Sequence, residues 1–369
     1  MASSKPTIYA YIGTFAQAEE QIRAGLEGIH IFRMQSPAAA WEPVQTVQGQ
    51  LHPSFLAADP HGRYLYVVTR PEETEGVPGG AVSAFAIDPA SGKLAYLNRQ
   101  ASHGFGPCYV SVERSGRYVL VANYRSGSVA MLPVRRDGRL GPASDFVQHV
   151  GSGPRSDRQE GPHAHCVIPD PSNRFALVAD LGLDRVFVYR LDLERGKLVS
   201  NDPPFAALRP GAGPRHLAFH PNGRYLYVID ELDSTLTVCA WDGDRGALEP
   251  IQSVTTLPAG WAGENDPADV HLTPSGRFLY GSNRGHDSLA IYAVVEQTGL
   301  VELLGHQPTH GKCPRNFAID PSGAFLFVAN QDTDNIVAFR LDGETGRLAP
   351  TGQEIKATAP TCVQFVASR

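Results

Sequence analysis

The stretch DPHGRYLYV at residues 59–67 returns five times along the chain: ERSGRYVLV at 113–121, DPSNRFALV at 170–178, HPNGRYLYV at 220–228, TPSGRFLYG at 273–281 and DPSGAFLFV at 320–328. The central glycine, an asparagine in the third copy, stands at 62, 116, 173, 223, 276 and 323, so the repeat length runs from 47 to 57 residues. A short apolar segment precedes each copy, as HLAFHP does at 216–221. A polar loop, another β-rich segment such as TLTVCAW at 235–241, and a further turn follow it. Apolar residues alternate as in strands, and helical periodicity is absent. Each unit therefore reads as strand, tight turn, strand, loop, strand, turn and often a fourth strand.

Repeats of this length built from four strands are the signature of a β-propeller in which each repeat is one blade. The two ends of the chain supply a seventh. Residues 6–34 match the second and third strands of the unit, and PTCVQFVAS at 360–368 matches the first. Joining them would pair two otherwise exposed sheet edges. The expectation is an all-β protein: one seven-bladed domain over 1–369, the last blade closed by N-terminal strands plus the C-terminal strand.

Composition narrows the function classes. A net charge of −6 without a long basic run argues against nucleic-acid or anionic-membrane binding. No apolar run approaches the roughly 20 residues of a membrane span. MASSKPTIYAYIG at the start lacks the apolar core of a secretory leader. The five cysteines, Cys108, Cys166, Cys239, Cys313 and Cys362, are odd in number and widely spaced. They suit reduced thiols in a cytoplasmic protein rather than a disulfide framework or zinc knuckle. A monomer or weak homo-oligomer is expected.

Blade topology turns sequence position into location. The first strand of each blade lines the central channel, and its start lies on the same face as the end of the second strand. Eight residues before the repeat glycine stand Ser54, Cys108, His165, Arg215, Ala268, Arg315 and, by alignment, Thr361. Two residues further on come Leu56, Val110, Val167, Leu217, Val270, Phe317 and Val363, the apolar packing between blades. Seven after the glycine come Thr69, Asn123, Asp180, Asp230, Asn283, Asn330 and Thr14, short polar residues suited to bonding the backbone where a strand becomes a loop. The next position is Arg70, Tyr124, Leu181, Glu231, Arg284, Gln331 and Phe15, and Glu231 and Arg284 break its pattern. Breaks in a repeat are where a site is grafted.

His163, His165, Arg215, His216, Glu231, Glu264, Asp269, Arg284 and Arg315 are thereby expected on one rim. Arginine forks grip phosphate or carboxylate, and a histidine or glutamate beside them can move a proton, which suits a small anionic substrate. His271, inside a first strand, is balanced between packing and function. Asp88, Asp192 and Asp242 read as turn residues, and His61 and His220 as residues of the hairpins at the other face. Zinc or calcium on H-x-H with nearby acids is disfavoured because the arginines would repel a cation, so no metal or cofactor is expected. Phe15, Phe55, Tyr109, Tyr124 and Trp261 could wall a pocket or form a binding rim.

EGPHAHC at 160–166, GAGPRHLAFHPNGRYLYVIDEL at 211–232, GENDPADVHLTPSGRFLYGSNRGHDSLAIY at 263–292 and CPRNFAIDPSGAFLFVANQDTDNIVAF at 313–339 resemble the seven-bladed lactonase family. That family includes propeller-type 6-phosphogluconolactonases and fungal 3-carboxy-cis,cis-muconate cyclases. The resemblance implies a proton-transfer site of one His, two Arg and one Glu. The matching residues are His165 (or His163), Arg215, Glu231 and Arg284, with His163, His216, Glu264, Asp269, His271 and Arg315 as substrate-binding candidates. In IDEL, Asp230 stands where many relatives have Asn. The leading expectation is metal-independent hydrolysis of a sugar lactone, 6-phospho-D-glucono-1,5-lactone before others. The alternatives are a carboxymuconate or muconolactone cycloisomerase, and a non-catalytic binding propeller.

Overall fold

The computed structural model describes residues 7–15, 28–34 and 41–368. Residues 1–6, on which part of the leader reading rests, lie outside them, as do parts of the N-terminal match to the repeat. The described residues form seven four-stranded antiparallel sheets arranged as blades, plus a small hairpin of Glu73–Thr74 and Val77–Pro78. Blade 4 shows the pattern, with Pro214–Phe219 innermost, then Tyr225–Asp230, Thr235–Asp242 and Ala247–Thr255. The other inner strands are Leu56–Ala58, Pro107–Val112, Ala164–Pro169, Asp266–Leu272, Pro314–Ile319 and Pro360–Ala367, in blades 1, 2, 3, 5, 6 and 7. Neighbouring inner strands touch all the way round the ring. In blade 7 the C-terminal Pro360–Ala367 pairs antiparallel with Ile8–Thr14, which closes the circle without a free inner edge. Among the described residues the helical content is one short 3₁₀ turn, Gln331–Thr333, and no helix is long and apolar enough to cross a membrane.

The repeated phrase has a packing reason in each part. Its glycine turns the hairpin with φ between 65° and 73°, and Asn173 in the third copy adopts 61°, a left-handed conformation that asparagine tolerates. The aromatic two residues later lies on the outer turn of the next blade, over a glycine. Tyr9 packs on Gly92, Tyr64 on Gly138, Tyr118 on Gly196, Phe175 on Gly246, Tyr225 on Gly299 and Phe278 on Gly346. The second tyrosine of the phrase donates to the same turn where it is present. Tyr66 reaches the Gly138 carbonyl at 3.2 Å, Tyr227 that of Gly299 at 3.0 Å and Tyr280 that of Gly346 at 2.8 Å. Tyr11 does so at Gly92, 2.8 Å away, across the join between blades 7 and 1. Asp88 holds its turn through Ser91 and Ala90, and His220 bridges to the Gly276 carbonyl at 3.2 Å.

The short polar residues ending the second strands are all fully buried. Asn123, Asn283 and Asn330 donate to the carbonyls of Ser102, Thr256 and Thr309, each at the end of the preceding blade's outer strand. Asp180 takes the His149 side chain instead, at 2.6 Å. These bonds anchor the loops around the channel mouth to the blades beneath them.

Two glycines with positive φ, one under a ring and one not, separate two costs. Gly352 has φ +80 and open space where a Cβ would stand, whereas Gly299 has φ +69 and the Tyr225 ring there. Gly352→Ala is expected to cost about 1 kcal/mol, for backbone strain alone. Gly299→Ala is expected to cost about 3 kcal/mol, because the ring must also move. Urea-denaturation midpoints of the two variants check the difference.

Candidate active site

Six of the seven inner strands carry one residue more than the second strand opposite. In five of them the extra residue is the one eight before the repeat glycine or its blade-7 equivalent: Cys108, His165, Arg215, Arg315 and Thr361. In blade 5 the bulge takes in Ala268 and Asp269. A bulge interrupts the two-residue alternation and re-aims a side chain. Residues that regular pleating would aim at a neighbouring blade thus face the channel. Ser54, Cys108, His165, Arg215, Arg315 and Thr361 line one cavity together with Phe55, Arg70 and His216.

At the rim of this cavity Glu231 sits among three guanidinium groups. Its Oε2 lies 2.7 Å from Arg215 Nε and 2.8 Å from an Arg284 Nη, and its Oε1 is bonded to Arg158. Burial would raise the carboxyl, but Arg284, Arg215 and Arg158 outweigh it and hold Glu231 at about 2. It is therefore an ionised anchor that fixes arginine forks and a weak base. Arg215 is 2% exposed and also donates to the Ala268 carbonyl. Arg284 Nε donates to the Asp266 carbonyl at 2.9 Å.

His165 faces the same cavity, 5% exposed, with its Nδ1 buried and without a hydrogen-bond partner among the described residues. Burial, then Arg215, His216 and Arg315, push it well below the usual histidine value, so the ring is neutral at pH 7. His163 stands outside the cavity lining. Its ring stacks on Tyr124 at 4.7 Å, and its Nε2 is 3.2 Å from Glu160. Phe55 and Tyr109 stack on each other at 4.1 Å, and both present an edge to His216.

His216 and Asp269 form a polar seam behind the arginines. His216 Nδ1 is 2.7 Å from Asp269 Oδ1, and its Nε2 is 3.2 Å from Arg215. Burial and Arg215 bring His216 down to about 4. Asp269 Oδ2 accepts from Asn316 Nδ2 at 2.6 Å and from the Phe317 amide at 3.3 Å. Asn316 in turn accepts from the Val363 amide at 2.8 Å. One carboxylate thus ties blade 4 to blade 6 and, through Asn316, to blade 7. It is a support of the site and does not line the cavity.

Two expected residues lie elsewhere. His271 bonds Asp269 Oδ2 at 3.0 Å but opens onto the opposite mouth, beside Pro221, Thr273, Asp320 and Gln364. It stands beyond the bulge of its strand, toward the hairpin end. Glu264 is exposed on the loop before Asp266–Leu272 and makes no ion pair among the described residues. The sequence reading also missed Arg158. It sits in the connection from blade 2 to blade 3, where PRSDRQEGPHAH departs from the repeat. That departure was the available signal. Among the described residues no three His, Cys, Asp or Glu side chains are arranged to hold a metal, and the lone pairs of Asp269 are occupied by the donors above.

A seven-bladed ring whose mouth gathers clamped arginines, a bound glutamate and a neutral histidine defines a propeller with a candidate active site at its channel mouth. The family described as "Lactonase, 7-bladed beta-propeller" matches residues 9–365, and the chain belongs to it. A 6-phosphogluconolactonase of Bacillus subtilis is 36% identical over 357 residues, 96% of this chain and 97% of that protein. Another so named, from Formosa agariphila, is 35% identical over 79% of this chain and 82% of its own length. The solved periplasmic gluconolactonase of Pseudomonas aeruginosa superposes with a TM-score of 0.90 at 33% identity, covering 98% of this chain and 100% of its own.

Asp230, next to the anchor, is fully buried; its Oδ2 accepts from the hydroxyls of Thr235 and Thr237, and its Oδ1 has no partner. Burial raises it well above the usual aspartate value. The folded chain then keeps a proton that the unfolded chain loses near pH 4. Stability from this site is present in acid and declines as pH rises toward the folded value. An asparagine in its place would accept the same two hydroxyl bonds without that cost. Asp230→Asn is expected to be more stable than the parent by about 1–2 kcal/mol at pH 8. The gap should close toward pH 4, as read from urea midpoints across that range.

Proposed function

We propose that the protein hydrolyses a phosphorylated sugar lactone, 6-phospho-D-glucono-1,5-lactone, to 6-phosphogluconate without a metal ion. The observation that carries this reading is the Glu231 carboxylate holding Arg215 and Arg284 beside a neutral His165 with an unpartnered Nδ1. Two fixed guanidiniums can stabilise the oxyanion that forms when water adds to a lactone carbonyl, because they need no rearrangement as the charge develops. His165 takes the proton of the attacking water. Negative charge arriving among the arginines offsets the repulsion that adds to burial in depressing its basicity. The carbonyl carbon–ring oxygen bond then breaks, His165 returns the proton to the departing ring oxygen, and the acid product ionises in solvent. Glu231 keeps the two forks aligned. The names of the relatives favour hydrolysis over cycloisomerisation. A cytoplasmic setting rests on five unpaired cysteines, four of them buried.

A pH-stat assay of the phosphorylated lactone, corrected for spontaneous opening, tests the assignment. His165→Ala is expected to lower kcat by about 10²–10⁴-fold, and Glu231→Gln to lower kcat/KM by about 10²-fold or more. The acid limb of the parent's kcat/KM profile should lie below pH 6.5, since the working ring is the neutral one and its value is depressed. Full activity in the His165→Ala variant would refute the role.

A further inference from the structure

Two other arginines face the cavity. Arg70 directly follows the second strand of blade 1, Tyr64–Thr69, and Arg315 is the bulged residue of blade 6. Both line the cavity with Ser54, Cys108, His165, Arg215 and Thr361. Unlike Arg158, Arg215 and Arg284, neither makes an ion pair among the described residues. Arg70 spends only its Nε, on the Pro107 carbonyl at 3.3 Å, and its guanidinium lies over the Phe15 ring at 4.7 Å. Ser54 beside them is 8% exposed, and its hydroxyl is buried without a partner among the described residues. Burial first, and then Arg215 and Arg284, push Arg315 down to about 9.

Two forks without carboxylates and an unsatisfied hydroxyl cost stability when left facing each other. A tetrahedral dianion would satisfy all three. We propose that Arg70, Arg315 and Ser54 form a subsite for the substrate's phosphate, so that the sugar lies across the mouth with its reacting carbonyl over blades 3–5 and its phosphate over blades 6, 7 and 1. This inference rests on the lactonase reading and adds the source of selectivity for phosphorylated over plain lactones.

The test uses Arg70→Gln and Arg315→Gln in the full chain, with two measurements. In the first, inorganic phosphate is titrated calorimetrically; each substitution is expected to weaken binding by about tenfold, and Arg315→Lys to recover part of the loss. In the second, kcat/KM is compared between 6-phosphogluconolactone and glucono-1,5-lactone. The ratio should fall by about tenfold or more, through KM. Thermal midpoints should not fall, since an unpaired buried charge is removed. Unchanged phosphate affinity overturns the subsite. So do equal losses on both lactones, and so does phosphate binding that the substitutions weaken without any change in the ratio. If the parent opens neither lactone, the lactonase reading fails, and the phosphate titration alone decides the subsite.

Discussion

The aromatic ring seated on a glycine of the next blade is the contact on which the architecture depends. It recurs at six consecutive junctions, from Tyr9 on Gly92 to Phe278 on Gly346. A propeller has no hydrogen-bonded sheet running between its blades, so each junction must be held by side-chain packing. A flat ring on a residue without Cβ lets two sheets approach at one repeated distance and angle. The tyrosine hydroxyls that reach the same turns add direction to an otherwise greasy contact. With the spacing fixed at the rim of every blade, seven inner strands converge on one axis, and the C-terminal strand can close the circle against Ile8–Thr14.

Closure creates the site, and bulges equip it. An inner strand with regular pleat would aim its side chains at the two neighbouring blades. One extra residue near the start of the strand turns a side chain toward the channel instead. Arg215 and Arg315 arrive there by that device, and the burden of burying them is visible in the neighbourhood. Glu231 compensates one group of arginines, and the Asp269 seam braces the strands behind them. Arg70 and Arg315 make no ion pair among the described residues. Proteins tolerate such imbalance where a ligand completes it, since function and stability make opposing demands on the same residues.

The repeat made the fold legible. The phrase at 59–67 and its copies marked the hairpins, their spacing set the blade length, and the partial copies at the ends pointed to the shared blade. The site was legible where it follows the repeat: His165, Arg215 and Arg315 occupy one repeat position, and Glu231 and Arg284 another. It was hidden where the chain leaves the repeat. Arg158 sits in an irregular connection, so no alignment to the unit could place it. His271, expected from the family resemblance, faces the opposite mouth, which its place in the repeat does not report, and Glu264 is exposed on the rim loop without an ion pair among the described residues. Arg70 stood in the right column, yet nothing in its type distinguished a paired arginine from an unpaired one.

The amino-acid sequence by itself determined the number of blades, the way the ring closes and the set of positions that meet at the mouth. Those follow from local periodicity and from a count of repeats. Only the tertiary structure decided which charges find partners. Glu231 lies within bonding distance of Arg158, Arg215 and Arg284 but not of Arg70 or Arg315. The reason is physical. Ion pairing and burial depend on distances of a few ångströms between blades far apart in the chain, set by the packing of rings on glycines that no single repeat encodes.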